Sequence, residues 1–118
     1  MNTNQIAAQV RQVKNGVAVI DVRGEVTGVA EAILTEAYNQ ACSTSIQTLM
    51  LNFNGLEYMN SSGIGLLVTL LIRTNRQKQR LVAFGLTEHY QQIFELTRLN
   101  EAISIYQSEA EALTAIGV

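Results

Sequence analysis

The sequence has few of the residues on which catalytic and metal sites usually depend: one cysteine, one histidine, one aspartate, and no proline at all. Because Cys42 stands alone, neither an internal disulfide nor a cysteine-based zinc site can form. His89 and Asp21 leave almost nothing for a Ser-His-Asp relay, and a lone histidine beside Glu88 is typical of a solvated surface residue. These shortages predict a chain without hydrolase chemistry in a reducing cytoplasm.

Long apolar runs are missing as well. The longest stretch, Ile64 to Ile72, contains Gly65 and Thr69 and is much shorter than the ~20 residues that a membrane span requires. The first residues, Met1 to Gln5, lack both the positive start and the apolar stretch of a secretory signal. We therefore expect a soluble, cytoplasmic protein that does not associate with membranes.

The composition is that of a compact globular protein, with 118 residues, 47% of them apolar and 15% charged. This length predicts one domain, residues 1–118. A net charge of −2 argues against nucleic acid as a partner. Half of the eight lysines and arginines lie between Arg73 and Arg80, where they interact favourably with the end of a helix; the alternative is a surface for an anionic partner.

Motifs that bind phosphates, nucleotides or metals do not occur in complete form. Gly63-Ile64-Gly65 is part of a dinucleotide fingerprint, but Val68 replaces its third glycine and Ala83 stands near its expected acidic residue. A Gly-x-Ser-x-Gly elbow around Ser61 fails because Met59 occupies the first glycine position. We expect no catalytic residue, no cofactor, no bound metal and no small-molecule substrate.

Apolar periodicity predicts strands and helices in the order β-β-α-β-α-β-α-β-α. The predicted strands are residues 10–13, 17–23, 48–53, 81–84 and 103–106, and the predicted helices are residues 29–42, 61–78, 88–98 and 109–116. A turn at Lys14-Asn15-Gly16 makes the first two strands a hairpin, Gly24 ends the second strand, and Asn54-Gly55 is a turn. This order favours an α/β fold with a mixed, mostly parallel sheet.

The second predicted helix begins on an unusually small patch, Asn60-Ser61-Ser62-Gly63-Ile64-Gly65. Asn60 or Ser61 is expected to cap the helix with a side-chain oxygen. Capping does not explain the glycines, each of which costs about 1 kcal/mol relative to alanine inside a helix. Either close packing on the sheet or close approach by another protein must offset that cost.

The same helix has two kinds of apolar position. Its predicted core-facing stripe consists of Ile64, Leu67, Val68 and Leu71. Leu66 and Leu70 lie off this stripe and are exposed unless another element covers them. Exposed leucines beside a bare helix start indicate a protein-binding surface, and a wide buried face is the alternative.

A serine at a helix start is also a candidate switch. Phosphorylation adds about −1.5 to −2 charges, which a helix N-terminus tolerates or stabilises. Inside an interface the same group loses its water without a counter-charge, at several kcal/mol per ion, and ~1.4 kcal/mol is tenfold in affinity. Phosphorylation is therefore expected to remove binding and to spare the fold.

The stretch LMLNFNGLEYMNSSGIGLLVTLL, residues 49–71, resembles the signature of STAS domains, in particular the anti-sigma factor antagonists of bacteria. That signature is an apolar strand, an Asx-Gly turn and Asp-Ser-Ser/Thr-Gly-Leu/Ile-Gly at a helix start. VAVIDVRGEV resembles the family's strand ending in Gly-Glu-Leu-Asp, residues 81–106 its late strand and helix, and SEAEAL its final helix.

The resemblance implies a partner-switching cycle. An anti-sigma factor that is also a serine kinase would phosphorylate Ser61, the unphosphorylated chain would bind this kinase and free the sigma factor, and a metal-dependent serine phosphatase would reset the cycle. The implied docking residues, with the first two on a neighbouring loop, are Gly24, Glu25, Asn60, Ser61, Ser62, Gly63 and Leu66.

Two positions depart from the family pattern. Asn60 stands where the family has aspartate, and Val26-Thr27 replace its Leu-Asp. Loss of the carboxylate beside Ser61 weakens recognition or orientation by the kinase. The alternative function is a STAS scaffold or ligand-sensing module of a signalling or transport complex, in which Ser61 is not phosphorylated and only caps the helix.

Overall fold

Five segments rich in apolar residues pair into one sheet in the computed structural model, which describes residues 5–117. The strands are Ala7–Lys14 (β1), Val17–Val26 (β2), Thr48–Met59 (β3), Arg80–Phe84 (β4) and Ser104–Tyr106 (β5). They lie in the order β1-β2-β3-β4-β5. β1 and β2 are antiparallel and every other neighbouring pair is parallel. The predicted mixed sheet with an N-terminal hairpin is confirmed.

Four α-helices connect and follow the strands: Glu31–Ala41 (α1), Ser61–Arg76 (α2), Glu88–Leu96 (α3) and Glu109–Ala115 (α4). Short 3₁₀ turns, Gly28–Ala30 and Leu99–Glu101, precede α1 and β5. Side chains of α1, α2 and α3 share one apolar core with alternate residues of the strands, while α4 covers a smaller cluster around Phe84. The predicted α/β class and element order are confirmed.

The two central strands run further than the sequence predicts. β2 continues through Gly24, whose φ is +92°, and β3 passes through Asn54 and Gly55 without a turn. Their pairing register shifts between Asp21 and Arg23 and again after Gly24. The predicted strand end at Gly24 and the predicted turn at Asn54-Gly55 are wrong, because bulges absorb the irregular residues without breaking the pairing.

The buried face of α2 also differs from its prediction. Its buried residues are Gly63, Leu67, Leu70 and Thr74. Leu70 is only 3% exposed, so the alternative of a buried face holds at this position, and Val68, predicted to face the core, is 36% exposed. Leu66, Ile64 and Leu71 are half-buried. The buried face of α2 is therefore rotated about the helix axis relative to the predicted face. Gly63 and Thr74 are small enough to be buried beside the leucines.

Within residues 5–117, none of the helices combines the length and apolarity that a membrane crossing requires. Met1 to Asn4, for which the sequence predicts no signal segment, lie outside the described residues.

Candidate functional site

The start of α2 lies against the end of β2. The backbone N–H of Asn60 donates to the carbonyl oxygen of Val26 at 3.3 Å, which ties the residue before the helix to the strand. The Asn60 side chain turns back and accepts a hydrogen bond from the Gly63 backbone N–H at 2.9 Å between Oδ1 and N. Asn60 is therefore the N-cap, as one of the two predicted candidates, and Ser61 is the first helical residue.

Close packing explains the first glycine of the patch. A Cβ on Gly63 would collide with the carbonyl oxygen of Val26 and would lie 2.9 Å from Cγ of Met59. Any side chain at this position would push the helix away from β2. The cost of this glycine is offset by the contact that it permits.

The second glycine has no such explanation within the described chain. A Cβ built on Gly65 would meet no atom within 4 Å beyond its own stretch of helix, and the residue is exposed. Its cost of about 1 kcal/mol relative to alanine is therefore not offset by packing among residues 5–117.

Ser61 and Ser62 are both exposed at the first turn of α2. Their backbone N–H groups precede the first possible intrahelical acceptor, and no other acceptor among the described residues lies within hydrogen-bonding distance. These N–H groups and the positive end of the helix dipole create a favourable environment for an anion. The Ser61 hydroxyl is accessible, and the cap does not use it.

The predicted docking residues contribute in different ways. Gly24 and Glu25 lie in β2, paired with Leu56 and Tyr58 of β3, so their predicted placement on a loop is wrong because the strand continues past them. Gly24, like the glycine at position 63, is buried and shapes the backbone without presenting a side chain. Glu25 is half-buried, as are the residues at positions 60 and 66. Among the predicted set, only the two serines are exposed.

An exposed valine beside this patch was missed by sequence reasoning. Val29 is 84% exposed on the 3₁₀ turn Gly28–Ala30. A Cβ on Gly28 would lie 3.7 Å from the Ser62 Cβ, so the turn adjoins the helix start. The sequence pattern predicts Val29 as the first residue of a longer α1. The sequence signal for this exposed residue was its position after Gly28 and before Glu31, the first polar residue of the helix.

A buried tyrosine fixes the strand that leads into the site. The hydroxyl of Tyr90 accepts a hydrogen bond from the Met59 backbone N–H at 2.9 Å, one residue before the cap. His89, its neighbour, is exposed and packs edge-on against the Tyr90 ring with 4.9 Å between centroids. The predicted surface position of His89 is confirmed.

The single aspartate takes part in an ionic cluster that joins the hairpin to α4. Arg11 donates to both carboxylate oxygens of Asp21, at 2.6 and 2.9 Å, and to Glu109 at 2.8 Å. Asn52 donates to Asp21 at 2.8 Å. The Arg11 hydrogen bonds hold the pKa of Asp21 below its usual range despite partial burial. These contacts give Asp21 a structural role.

Cations cluster at the far end of α2 from the serines. The Arg73 guanidinium lies over the Tyr38 ring at 5.7 Å from its centroid, while Arg76, Lys78 and Arg80 are exposed. Within residues 5–117, no three histidine, cysteine, aspartate or glutamate side chains lie close enough to hold a metal ion.

Known proteins share both the sequence pattern and this fold. The STAS domain sequence model matches residues 8–112. The anti-sigma-B factor antagonist of Listeria monocytogenes is 28% identical over 92 residues, which are 78% of this chain and 81% of that protein.

Two solved structures are similar over almost the whole fold. An anti-sigma factor antagonist from Mycobacterium paratuberculosis superposes with a TM-score of 0.81 at 22% identity, covering 97% of this chain and 96% of the other. Unphosphorylated SpoIIAA, also an anti-sigma factor antagonist, gives 0.69 at 23% identity over 95% and 100%. Since the match to the STAS domain spans most of the sequence and the fold agrees, the chain belongs to the STAS domain family.

Proposed function

We propose that the chain is a bacterial anti-sigma factor antagonist without catalysis of its own. It binds an anti-sigma factor that is also a serine kinase while Ser61 is unphosphorylated, and it releases this partner when Ser61 is phosphorylated. The observation that carries the proposal is the exposure of Ser61 at the first position of α2, next to a cap that leaves its hydroxyl free. The names of the Listeria relatives support an anti-sigma factor as the partner.

The geometry suits a phosphate on the free protein. The cap is supplied by Asn60, so modification of Ser61 removes no hydrogen bond on which the helix depends. The new charge would lie beside the free N–H groups of Ser61 and Ser62, a placement worth up to about 2 kcal/mol in favour of the folded state. We expect the phosphorylated chain to keep its fold.

The same phosphate would prevent docking. A partner that covers Ser61 must strip water from the dianion, at several kcal/mol per ion, and nothing in an interface evolved for a hydroxyl supplies a counter-charge. Since ~1.4 kcal/mol corresponds to tenfold in affinity, the complex would weaken by orders of magnitude. The docking surface in this proposal includes the two serines together with Glu25 and Leu66, shaped by the buried Gly24 and Gly63.

Asn60 makes this switch different from one with aspartate at the cap. The amide oxygen caps the helix as a carboxylate would, but it brings no negative charge next to a phosphate on Ser61. In this proposal the partner therefore recognises the serine without a neighbouring carboxylate, and a metal-dependent serine phosphatase removes the phosphate in the cytoplasm. Nucleic acids, membranes and small-molecule substrates have no part in the cycle.

Phosphorylation can be tested with the anti-sigma kinase of the source organism, ATP and intact-mass measurement. We expect one phosphate on the wild type and on Ser62→Ala, the matched control, and none on Ser61→Ala. A phosphate that persists on Ser61→Ala would move the site elsewhere. A wild type that takes up none would remove the switch from the proposal.

Binding is tested by titrating the same purified kinase with the wild type and with Ser61→Asp. We expect the Asp variant to keep its thermal midpoint and to lose affinity. A large fall in midpoint would contradict the proposal, because it would show that the serine supports the fold.

The second candidate is a STAS scaffold or ligand-sensing module in which Ser61 is never modified. The neutral residue at position 60 favours it, since the family's carboxylate is missing beside the serine. Equal binding of wild type and Ser61→Asp to one partner would support this candidate over the first.

A further inference from the structure

We infer that the chain has a ligand site on the sheet face that carries α4, beside that helix, and that this site binds a small polar molecule with one carboxylate, such as a sugar acid. The site is a cavity of about 400 Å³. Six polar side chains line it: Gln9, Arg11, Asp21, Arg23, Asn52 and Asn54. Ser61 and α2 belong to the opposite face of the sheet, so the inference does not rest on the proposed function.

The floor of the cavity follows from the alternation of side chains along the strands. Ile20 and Leu51 are buried in the core that α1, α2 and α3 share. The next residue of each strand, Asp21 or Asn52, therefore points to the other face. In the sheet register, Asp21 lies between Gln9 of β1 and Asn52 of β3. Three neighbouring strands thus give the cavity a polar floor.

Hydrogen bonds within the chain hold part of this floor in place. Asp21 accepts hydrogen bonds from Arg11 at 2.6 and 2.9 Å and from the Asn52 side chain at 2.8 Å. The side-chain oxygen of Asn52 accepts a hydrogen bond from the backbone N–H of Asn54 at 2.9 Å. Because these side chains are already ordered, a ligand that rests on them loses little affinity to side-chain ordering.

Arg23 is the group that would bind the carboxylate. It is exposed, and within residues 5–117 no carboxylate oxygen lies within 4.0 Å of its guanidinium. Its stem lies against Gly55, where a Cβ would be 3.3 Å from Cγ of Arg23. A guanidinium matches the planar shape of a carboxylate and can donate two parallel hydrogen bonds to it.

The charges around the cavity favour a ligand with a single carboxylate. Arg11 is already paired with two carboxylates, those of Asp21 and Glu109, at 2.6 and 2.8 Å. Arg23 is then the one lining cation without such a pair among the described residues, and a second ligand carboxylate would face Asp21. The amides of Gln9 and Asn54 can both donate to and accept from hydroxyl groups. A carboxylate that carries several hydroxyl groups fits this combination.

Binding can be measured with gluconate, a sugar acid, by following the amide signals of the purified chain in a nuclear magnetic resonance titration at constant ionic strength. Sorbitol is the uncharged counterpart of this probe, and glucarate is its dicarboxylate counterpart. We expect gluconate to shift the amide signals of Arg23 and Asn54 along a saturable curve. Sorbitol and glucarate should bind several-fold more weakly.

The decisive variant is Arg23→Gln. It should weaken gluconate binding roughly tenfold, because the charge-assisted hydrogen bonds to the carboxylate are lost. The matched control, Arg76→Gln, removes an exposed arginine at the end of α2 and should leave the affinity unchanged. Since Arg23 forms no ion pair within residues 5–117, the thermal midpoint of Arg23→Gln should stay close to that of the wild type.

Four results would overturn the inference. Gluconate could leave the signals around the cavity unchanged, or sorbitol could bind as well as gluconate, which would mean that the carboxylate is not recognised. Tighter binding of glucarate would contradict the single-carboxylate ligand. Equal losses for Arg23→Gln and Arg76→Gln would show a general attraction between charges. The proposed function is unaffected by any of these results, because the kinase titrations test it separately.

Discussion

Oδ1 of Asn60 lies 2.9 Å from the backbone nitrogen of Gly63 and accepts its hydrogen bond. This contact joins the two residues that make the start of α2 different from an ordinary helix start. One supplies a neutral cap where the family carries a carboxylate, and the other permits the helix to touch β2. The exposed Ser61 lies between them, and its side chain does not cap the helix.

The first prediction concerns the cap. Asn60→Asp should keep the hydrogen bond and add a negative charge at the positive end of the helix, which raises the free energy of unfolding by about 0.3–1 kcal/mol. It should also speed phosphorylation of Ser61 by restoring the family's carboxylate. Urea denaturation and a kinase time course measure the two effects. The control Asn60→Ala removes the cap and should cost about 1 kcal/mol, and a more stable Ala variant would contradict this account.

The second prediction concerns the contact between α2 and β2. Gly63→Ala should lower the free energy of unfolding by about 1–3 kcal/mol, because its methyl group collides with the Val26 carbonyl and the helix must move. Chemical denaturation of this variant beside Gly65→Ala gives a matched comparison of the same change in the same helix. Two shifts of the same sign would show that the glycines are not distinguished by packing.

The third prediction concerns Tyr90. Tyr90→Phe leaves the Met59 backbone N–H without the acceptor that it has at 2.9 Å, in a buried setting. An unsatisfied buried donor costs about 1–3 kcal/mol. We expect a stability loss of this size and faster amide hydrogen exchange at Met59 and Asn60. Unchanged exchange there would mean that the hydroxyl does not hold the end of β3.

The fourth prediction is a pH dependence at the acidic limb. The Arg11 hydrogen bonds lower the folded-state pKa of Asp21 below its ordinary value of 3.8. The stabilisation is therefore complete above the unfolded-state pKa and is lost as the pH falls through the lower folded-state value. Asp21→Asn should flatten the fall in stability below about pH 4. Acid denaturation followed by circular dichroism tests this, with Glu88→Gln as an exposed control.

The fifth prediction is a pH dependence at the alkaline limb. Burial raises the pKa of Tyr38 to about 12 from 10.0, so the folded protein holds its proton where the unfolded chain releases it. Stability from this group is present below pH 10.0 and decreases as the pH rises toward about 12. In ultraviolet titrations of the wild type and Tyr38→Phe, the difference between the two curves should rise near pH 12 and not near pH 10.0. A difference that rises near pH 10.0 would contradict the raised pKa of Tyr38.

β2 and β3 are longer than the local sequence pattern predicts. Glycine and Asn-Gly pairs commonly form turns, so the sequence predicts a strand end at Gly24 and a turn at Asn54-Gly55. Pairing between the two strands carries both past these points, because a shift in register satisfies the backbone hydrogen bonds on either side. The extension places Val26 over the start of α2, which no single segment could indicate.

The sequence by itself determined the order of the elements, the start of α2 near Ser61 and two candidates for its cap, because apolar periodicity and capping act between residues only a few positions apart. The tertiary structure alone decided which side of α2 is buried and why its two glycines differ. A Cβ on Gly63 would meet the carbonyl of Val26, 37 residues earlier in the chain, whereas a Cβ on Gly65 would meet no atom of residues 5–117 within 4 Å outside its own stretch of helix. Such contacts depend on where distant segments come together, and therefore on the packed fold.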